Sequence, residues 1–145
     1  MARVEVMVDI KAPPEKVFER LVKFEEHPKW VKNVQSAKQT TAGPAAVGTR
    51  FSQAVKFMGR TMAIEGEIAE LQANRHMLWK VSGPVTGTMS WDLTPEGQGT
   101  RLRSVLSPEK MPGLLSLLGP ITTMQMKSAH RGNIENLKRI LESGG

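Results

Sequence analysis

The chain is expected to form an α+β fold in which a curved, seven-stranded antiparallel sheet wraps a long C-terminal helix, with two short helices between the first two strands. Three observations predict it. A period-two strand at residues 4–10 runs through a double proline into a short amphipathic helix. Alternating apolar segments joined by short turns then continue to about Ser107, and helical periodicity returns from about Ile121 to Leu141. Short turns between successive strands imply an antiparallel meander.

Taken in order, Val4, Val6, Val8 and Ile10 share one face of the first strand, while Arg3, Glu5, Asp9 and Lys11 take the other. Pro13 and Pro14 stop the ladder. Pro14 suits the first turn of a helix, where its missing N–H is not required, and Glu15 sits at the positive end of the helix dipole. Val17, Phe18, Leu21 and Val22 form the buried stripe. The helix should fail by His27-Pro28, because the residue before a proline is pushed out of the helical region, and Trp30 should tuck back onto the fold.

Residues 34–41 make a weak second strand, and the stretch 49–57 a clearer third with Phe51, Gln53, Val55 and Phe57 on one face. The fourth, about 61–71, places Met62, Ile64, Gly66 and Ile68 inside and Glu65, Glu67 and Glu70 outside. Met77, Trp79 and Val81 mark the fifth strand, and Met89, Trp91 and Leu93 the sixth. The turn at residues 95–99 is the strongest hairpin signal, leading to a seventh strand with Leu102, Ser104 and Leu106 on one side. Glycine and proline break the apolar segment 111–119. In the final helix Thr123, Met126, His130, Ile134, Leu137 and Leu141 fall on the side that must face the sheet.

Composition bounds the class. At 145 residues the chain fits one domain, 1–145, and no linker composition divides it. Neither a signal-peptide pattern nor an apolar run of membrane-spanning length is found, so a soluble cytoplasmic protein is expected. The absence of cysteine removes disulfides, thiolate nucleophiles and thiolate metal sites together. The net charge of +6 comes from basic residues spread along the chain among acids, which argues against a dedicated nucleic-acid surface. His27, His76 and His130 are too scattered for a metal motif, and no cofactor or metal is expected.

The alternating strand at 4–10, the Ala12-Pro13-Pro14-Glu15-Lys16-Val17-Phe18 run and Trp30 resemble the helix-grip proteins of the START-like (SRPBCC) superfamily. So do Leu93-Thr94-Pro95 through Gly99-Thr100-Arg101-Leu102 and Ile134-Glu135-Asn136-Leu137-Lys138. Within it the chain is similar to the branch of polyketide cyclases, dehydratases and lipid-transport proteins. These motifs are structural, and the superfamily carries many activities on one scaffold. The resemblance implies a deep cavity between sheet and long helix, suited to a mostly apolar small molecule.

The residues agree with such a cavity. Nine methionines accompany no tyrosine and only four phenylalanines, and Met62, Met77, Met89 and Met126 all fall on inward faces. Methionine can line a cavity that adapts to its guest, although each is equally a core filler. Trp79 and Trp91 could form a flat wall. Gln53, Ser104 and His130 are polar groups on apolar faces, where an unpaired group costs roughly 1–3 kcal/mol. His130 could hydrogen-bond a ligand carbonyl or be satisfied by a neighbour. The expected ligand-binding set is therefore Phe51, Gln53, Val55, Met62, Ile64, Met77, Trp79, Met89, Trp91, Leu102, Ser104, Met126, His130 and Ile134, with Met111, Leu114, Leu115 and Leu118 as a gate.

Nothing resembles a nucleophile elbow or a phosphate-cradling loop, and no catalytic residue is assigned. Binding or transport of a hydrophobic small molecule, such as a lipid, quinone or polyketide-like compound, is the first expectation. A polyketide cyclase or dehydratase-type enzyme is the alternative. A coenzyme-Q-binding or ribosome-associated toxin-like module using the basic surface is the third. Exposed leucines near the gate leave a homodimer open.

Overall fold

The computed structural model describes residues 3–57, 59–110 and 119–143. Its elements follow the expected order: β1 (Val4–Ile10), α1 (Pro14–Leu21), a 3-10 helix (Phe24–Lys29), β2 (Val34–Gln39), β3 (Arg50–Phe57), β4 (Arg60–Gln72), β5 (His76–Ser82), β6 (Thr86–Glu96), β7 (Gly99–Lys110) and α2 (Gly119–Glu142). The strands form one antiparallel sheet in the order β1-β7-β6-β5-β4-β3-β2. Every neighbour from β2 to β7 is a sequence neighbour, and β1 closes the series by pairing with β7, Val4 opposite Leu106 and Ile10 opposite Thr100. With α2 packed on the concave face, this is a helix-grip architecture.

The first helix is shorter than its apolar pattern implies. It stops at Leu21, and a separate 3-10 helix holds Pro28 inside. The tighter i to i+3 bonding, with Glu26 N–H on the Lys23 carbonyl and Trp30 N–H on that of His27, carries the chain past a proline that an α-helix interior would reject. Trp30 is thereby turned into the core, 3% exposed. The hairpin between β6 and β7 is also tighter than expected. Pairing continues through Pro95 to Glu96 opposite Gly99, leaving two turn residues, with Gly97 at φ +59° supplying the left-handed conformation.

Gly66, like Gly87 and Gly99, is required by close packing. A Cβ built on Gly66 would lie 2.2 Å from Phe51 Cζ, so the Phe51 ring of β3 rests directly over the β4 backbone. The core joins Val4, Val6 and Ile10 of β1, Val17 and Leu21 of α1, Phe24, Ile68, Met77, Leu93 and Leu102 to Ile134 and Leu137 of α2.

Four polar ties hold α2 in place. Lys138 Nζ donates to the Asp9 carbonyl, Lys11 N–H to the Glu142 carboxylate, Lys32 N–H to Asn133 Oδ1, and Asn136 Nδ2 to the Trp30 carbonyl. They fix the register of the helix against both β1 and the segment after the 3-10 helix. That register decides which side chains of α2 face the sheet.

Candidate functional site

Between the concave face of the sheet and α2 lies a cavity of about 250 Å³. This is a little below the roughly 300–1,000 Å³ of small-molecule sites, so it suits a compact guest. Strand alternation places Phe51, Gln53 and Val55 of β3, Met62 and Ile64 of β4, Trp79 of β5 and Met89 and Trp91 of β6 on its wall, and helical phase adds Met126 and His130. Among the described residues, no Asp, Glu, Lys or Arg lines it.

An aromatic band runs through the site. Phe24 stacks on Phe51 with ring centroids 4.2 Å apart, His27 on Trp79 at 5.5 Å, and Trp79 leans on Trp91 at 5.2 Å. Trp30 meets Trp91 edge-on at 6.1 Å, and Trp91 reaches His130 at 6.0 Å. The indole N–H groups of Trp30, Trp79 and Trp91 are buried without a hydrogen-bond partner among the described residues. The band therefore packs as apolar surface, and its dipoles stay unspent.

Two histidines join Asn33, Gln53, Thr86 and Asn133 as the polar groups of the lining. His27 is fully buried, its Nε2 2.9 Å from the Leu21 carbonyl and its Nδ1 3.0 Å from the Gln53 amide nitrogen. Burial pulls its pKa below the ordinary 6.5, against the opposing pull of the Leu21 hydrogen bond and the Glu25 charge. His130 has Nε2 2.9 Å from Ser104 Oγ, and burial pulls its pKa down to about 4. Both rings are neutral near pH 7, so the wall carries dipoles and no charge.

Four of the expected ligand-binding residues stand off the wall. Met77, Leu102 and Ile134 are fully buried in the core, where α1 packs against β6 and β7. Ser104 is fully buried behind His130, which it contacts in place of the cavity. Their faces were assigned by alternation, which tells which side of the sheet a residue takes and is silent on how far along the groove it lies. The gate residues Met111, Leu114, Leu115 and Leu118 lie outside the described residues.

Sequence reasoning missed part of the wall: His27, Trp30, Val31, Asn33 and Val34 from the turn after α1, Val85, Thr86 and Gly87 ahead of and in β6, Leu106 and Pro108 of β7, and Asn133 of α2. Leu106 shared the face of Leu102 and was within reach of the pattern. His27 and Trp30 were not, because they sit on a 3-10 turn without the period that exposes a face in sequence.

Comparison with solved structures places the chain beside a Thermus thermophilus protein, TTHA0849, at 21% identity and TM-score 0.80, with 99% of each chain covered. A START superfamily protein from Mycobacterium smegmatis matches at 17% identity and TM-score 0.70, covering 93% of this chain and 98% of that one. The di-domain ARO/CYC protein StfQ of the steffimycin biosynthetic pathway matches at 16% identity and TM-score 0.75, covering 97% of this chain and 50% of that one. At such identities the likeness concerns the fold. No curated protein matches the chain. The family described as polyketide cyclase / dehydrase and lipid transport matches residues 1–142, and with the sheet gripping its helix around an uncharged hollow, the chain belongs to that family.

Proposed function

We propose that the protein binds a hydrophobic, uncharged small molecule in the cavity between the sheet and α2, as a carrier or binding protein. The observation that carries this reading is the lining itself: mostly apolar and aromatic walls, two neutral histidines, a few uncharged amides and one hydroxyl, and among the described residues no ionised side chain. A charged guest would lose its hydration there without gaining a counter-ion. Neutral imidazoles are weak bases at this depth, which favours binding over proton abstraction. The cyclase or dehydratase reading keeps one specific support, the presence of His130 beside the apolar wall, where it could orient a substrate carbonyl. The third reading, through the basic surface, is less supported, since Arg50, Arg101, Arg103 and Lys138 each face a carboxylate of the fold.

A thermal-shift screen of quinones, polyketides, fatty acids and sterols tests the proposal. A ligand at about 100 times its dissociation constant adds roughly 2.7 kcal/mol to stability. Stabilisation by neutral apolar compounds supports binding, and turnover of a hit would move the protein to the enzyme class. A screen without hits, together with salt-sensitive RNA binding, would overturn the proposal.

A further inference from the structure

Two hydrogen-bond chains end on the cavity wall, one on the sheet side and one on the helix side. On the sheet side the chain starts at the Leu21 carbonyl, which can only accept. His27 must therefore carry its proton on Nε2, and its bare Nδ1 must accept from the Gln53 amide nitrogen. This fixes the orientation of the amide. Its other end, Oε1, makes no hydrogen bond among the described residues, and it is not one of the buried polar atoms sealed away without a partner. The sheet side thus presents an acceptor.

On the helix side the chain starts at Ser104. Its hydroxyl is fully buried and bonds His130 Nε2 alone among the described residues. Were the imidazole proton on Nε2, the hydroxyl would accept it and leave its own hydrogen without an acceptor in apolar surroundings, a costly arrangement. The hydroxyl therefore donates to Nε2, and the ring proton sits on Nδ1. That nitrogen also lacks a partner among the described residues and is not sealed. The helix side thus presents a donor.

We infer that the cavity selects an uncharged, compact ring-bearing ligand that carries both a carbonyl oxygen, received by His130 Nδ1–H, and a hydroxyl, received by Gln53 Oε1. The inference rests on the binding reading proposed above and adds a polarity code to it. Ser104 is a positioning residue in this scheme, since it sets the tautomer of His130 without lining the cavity. Trp79 and Trp91, their planes inclined at 58°, offer aromatic edges and faces to a ring of the guest, and a carboxylate is rejected because no cation lines the wall among the described residues.

The test combines imidazole nitrogen chemical shifts of the free protein with calorimetric titration of tetralin, tetralone, hydroxytetralone and a tetralin carboxylate. The shifts are expected to show His130 protonated at Nδ1 and His27 at Nε2. Affinity should rise roughly three- to tenfold with each oxygen added from tetralin to tetralone to hydroxytetralone, and the carboxylate should bind more weakly than tetralin. Ser104→Ala should erase the advantage of tetralone over tetralin, and Gln53→Leu only the further advantage of hydroxytetralone. An Nε2-protonated His130, or equal affinity for the three neutral probes, overturns the code and leaves the cavity a binding site. Expected tautomers with no binding by any probe overturn the binding reading and the code together. Should Ser104→Ala fail to fold, the shifts and the probe series on the unaltered protein still decide.

Discussion

The two faces of the sheet handle polarity in opposite ways. On the convex face charges are plentiful and mutually paired. Arg103 bridges Glu5 and Asp92, Arg101 bridges Asp9 and Glu96, and His76 sits 2.7 Å from Asp92 and 2.8 Å from Glu70. Around the cavity on the concave side no ionised group is found among the described residues, and the polar side chains are two imidazoles, the amides of Asn33, Gln53 and Asn133 and the hydroxyl of Thr86, with Ser104 buried behind His130. The histidines report the contrast directly. Partial burial opposes the charge of His76, but hydrogen bonds from its ring to Glu70 and Asp92 outweigh that and raise its pKa, whereas burial lowers those of His27 and His130. One face stabilises protonation and the other resists it, which is what separates a solvated shell from a chamber for a neutral guest.

The contrast can be attacked first at its apolar centre. Trp91 is 1% exposed and touches Trp30, Trp79 and His130, so Trp91→Ala should cost about 3–5 kcal/mol in urea unfolding. Acid attacks the same face next. The folded His130 titrates at about 4 and the unfolded one near 6.5, so between those values the unfolded chain binds more protons. Its contribution is complete above pH 6.5 and is lost as pH falls towards 4, a change on the order of 3 kcal/mol. His130→Gln should flatten the pH dependence of denaturant midpoints across that window, leaving the acid sensitivity of His27, which has the same sign.

Gly66→Ala sharpens the comparison by pressing a methyl group into the Phe51 ring, at a cost of about 1–3 kcal/mol in the thermal or urea transition. The convex face should respond least. His76 gains stability from its pairs below its unfolded pKa and loses it as pH rises through the raised folded value, opposite in sign to His130. Because these pairs are only partly buried and lie at the surface, Asp92→Asn should change stability by about 0.2–1 kcal/mol, read as a small midpoint shift that salt suppresses.

Much of this architecture was written in local pattern. The valines of β1, the alternation in β3 to β7 and the helical phase of Met126, His130, Ile134 and Leu137 each state which face is buried, and the sheet follows. The fold class was legible for that reason. The site was legible only by face. Ile134 and His130 lie one helical turn apart on the same stripe, yet one is core and the other lines the cavity, because position along the groove depends on where α1 fills it. The partnership of His27 with Gln53 was hidden altogether. It joins a 3-10 turn to a strand 26 residues away, and nothing in either segment alone announces the other.

The pairing of β1 with β7 bears on how the polypeptide comes to its final shape. β1 pairs with a strand about a hundred residues further along the chain, Val4 opposite Leu106, and α2, further along still, packs on β1. Such distant pairing slows folding, because the entropy of closing long loops must be spent before the contacts form. Without α2, the cavity wall that His130 now faces beside Trp91 would stand open to water, so a partly folded chain would show the same apolar surface that the folded one encloses.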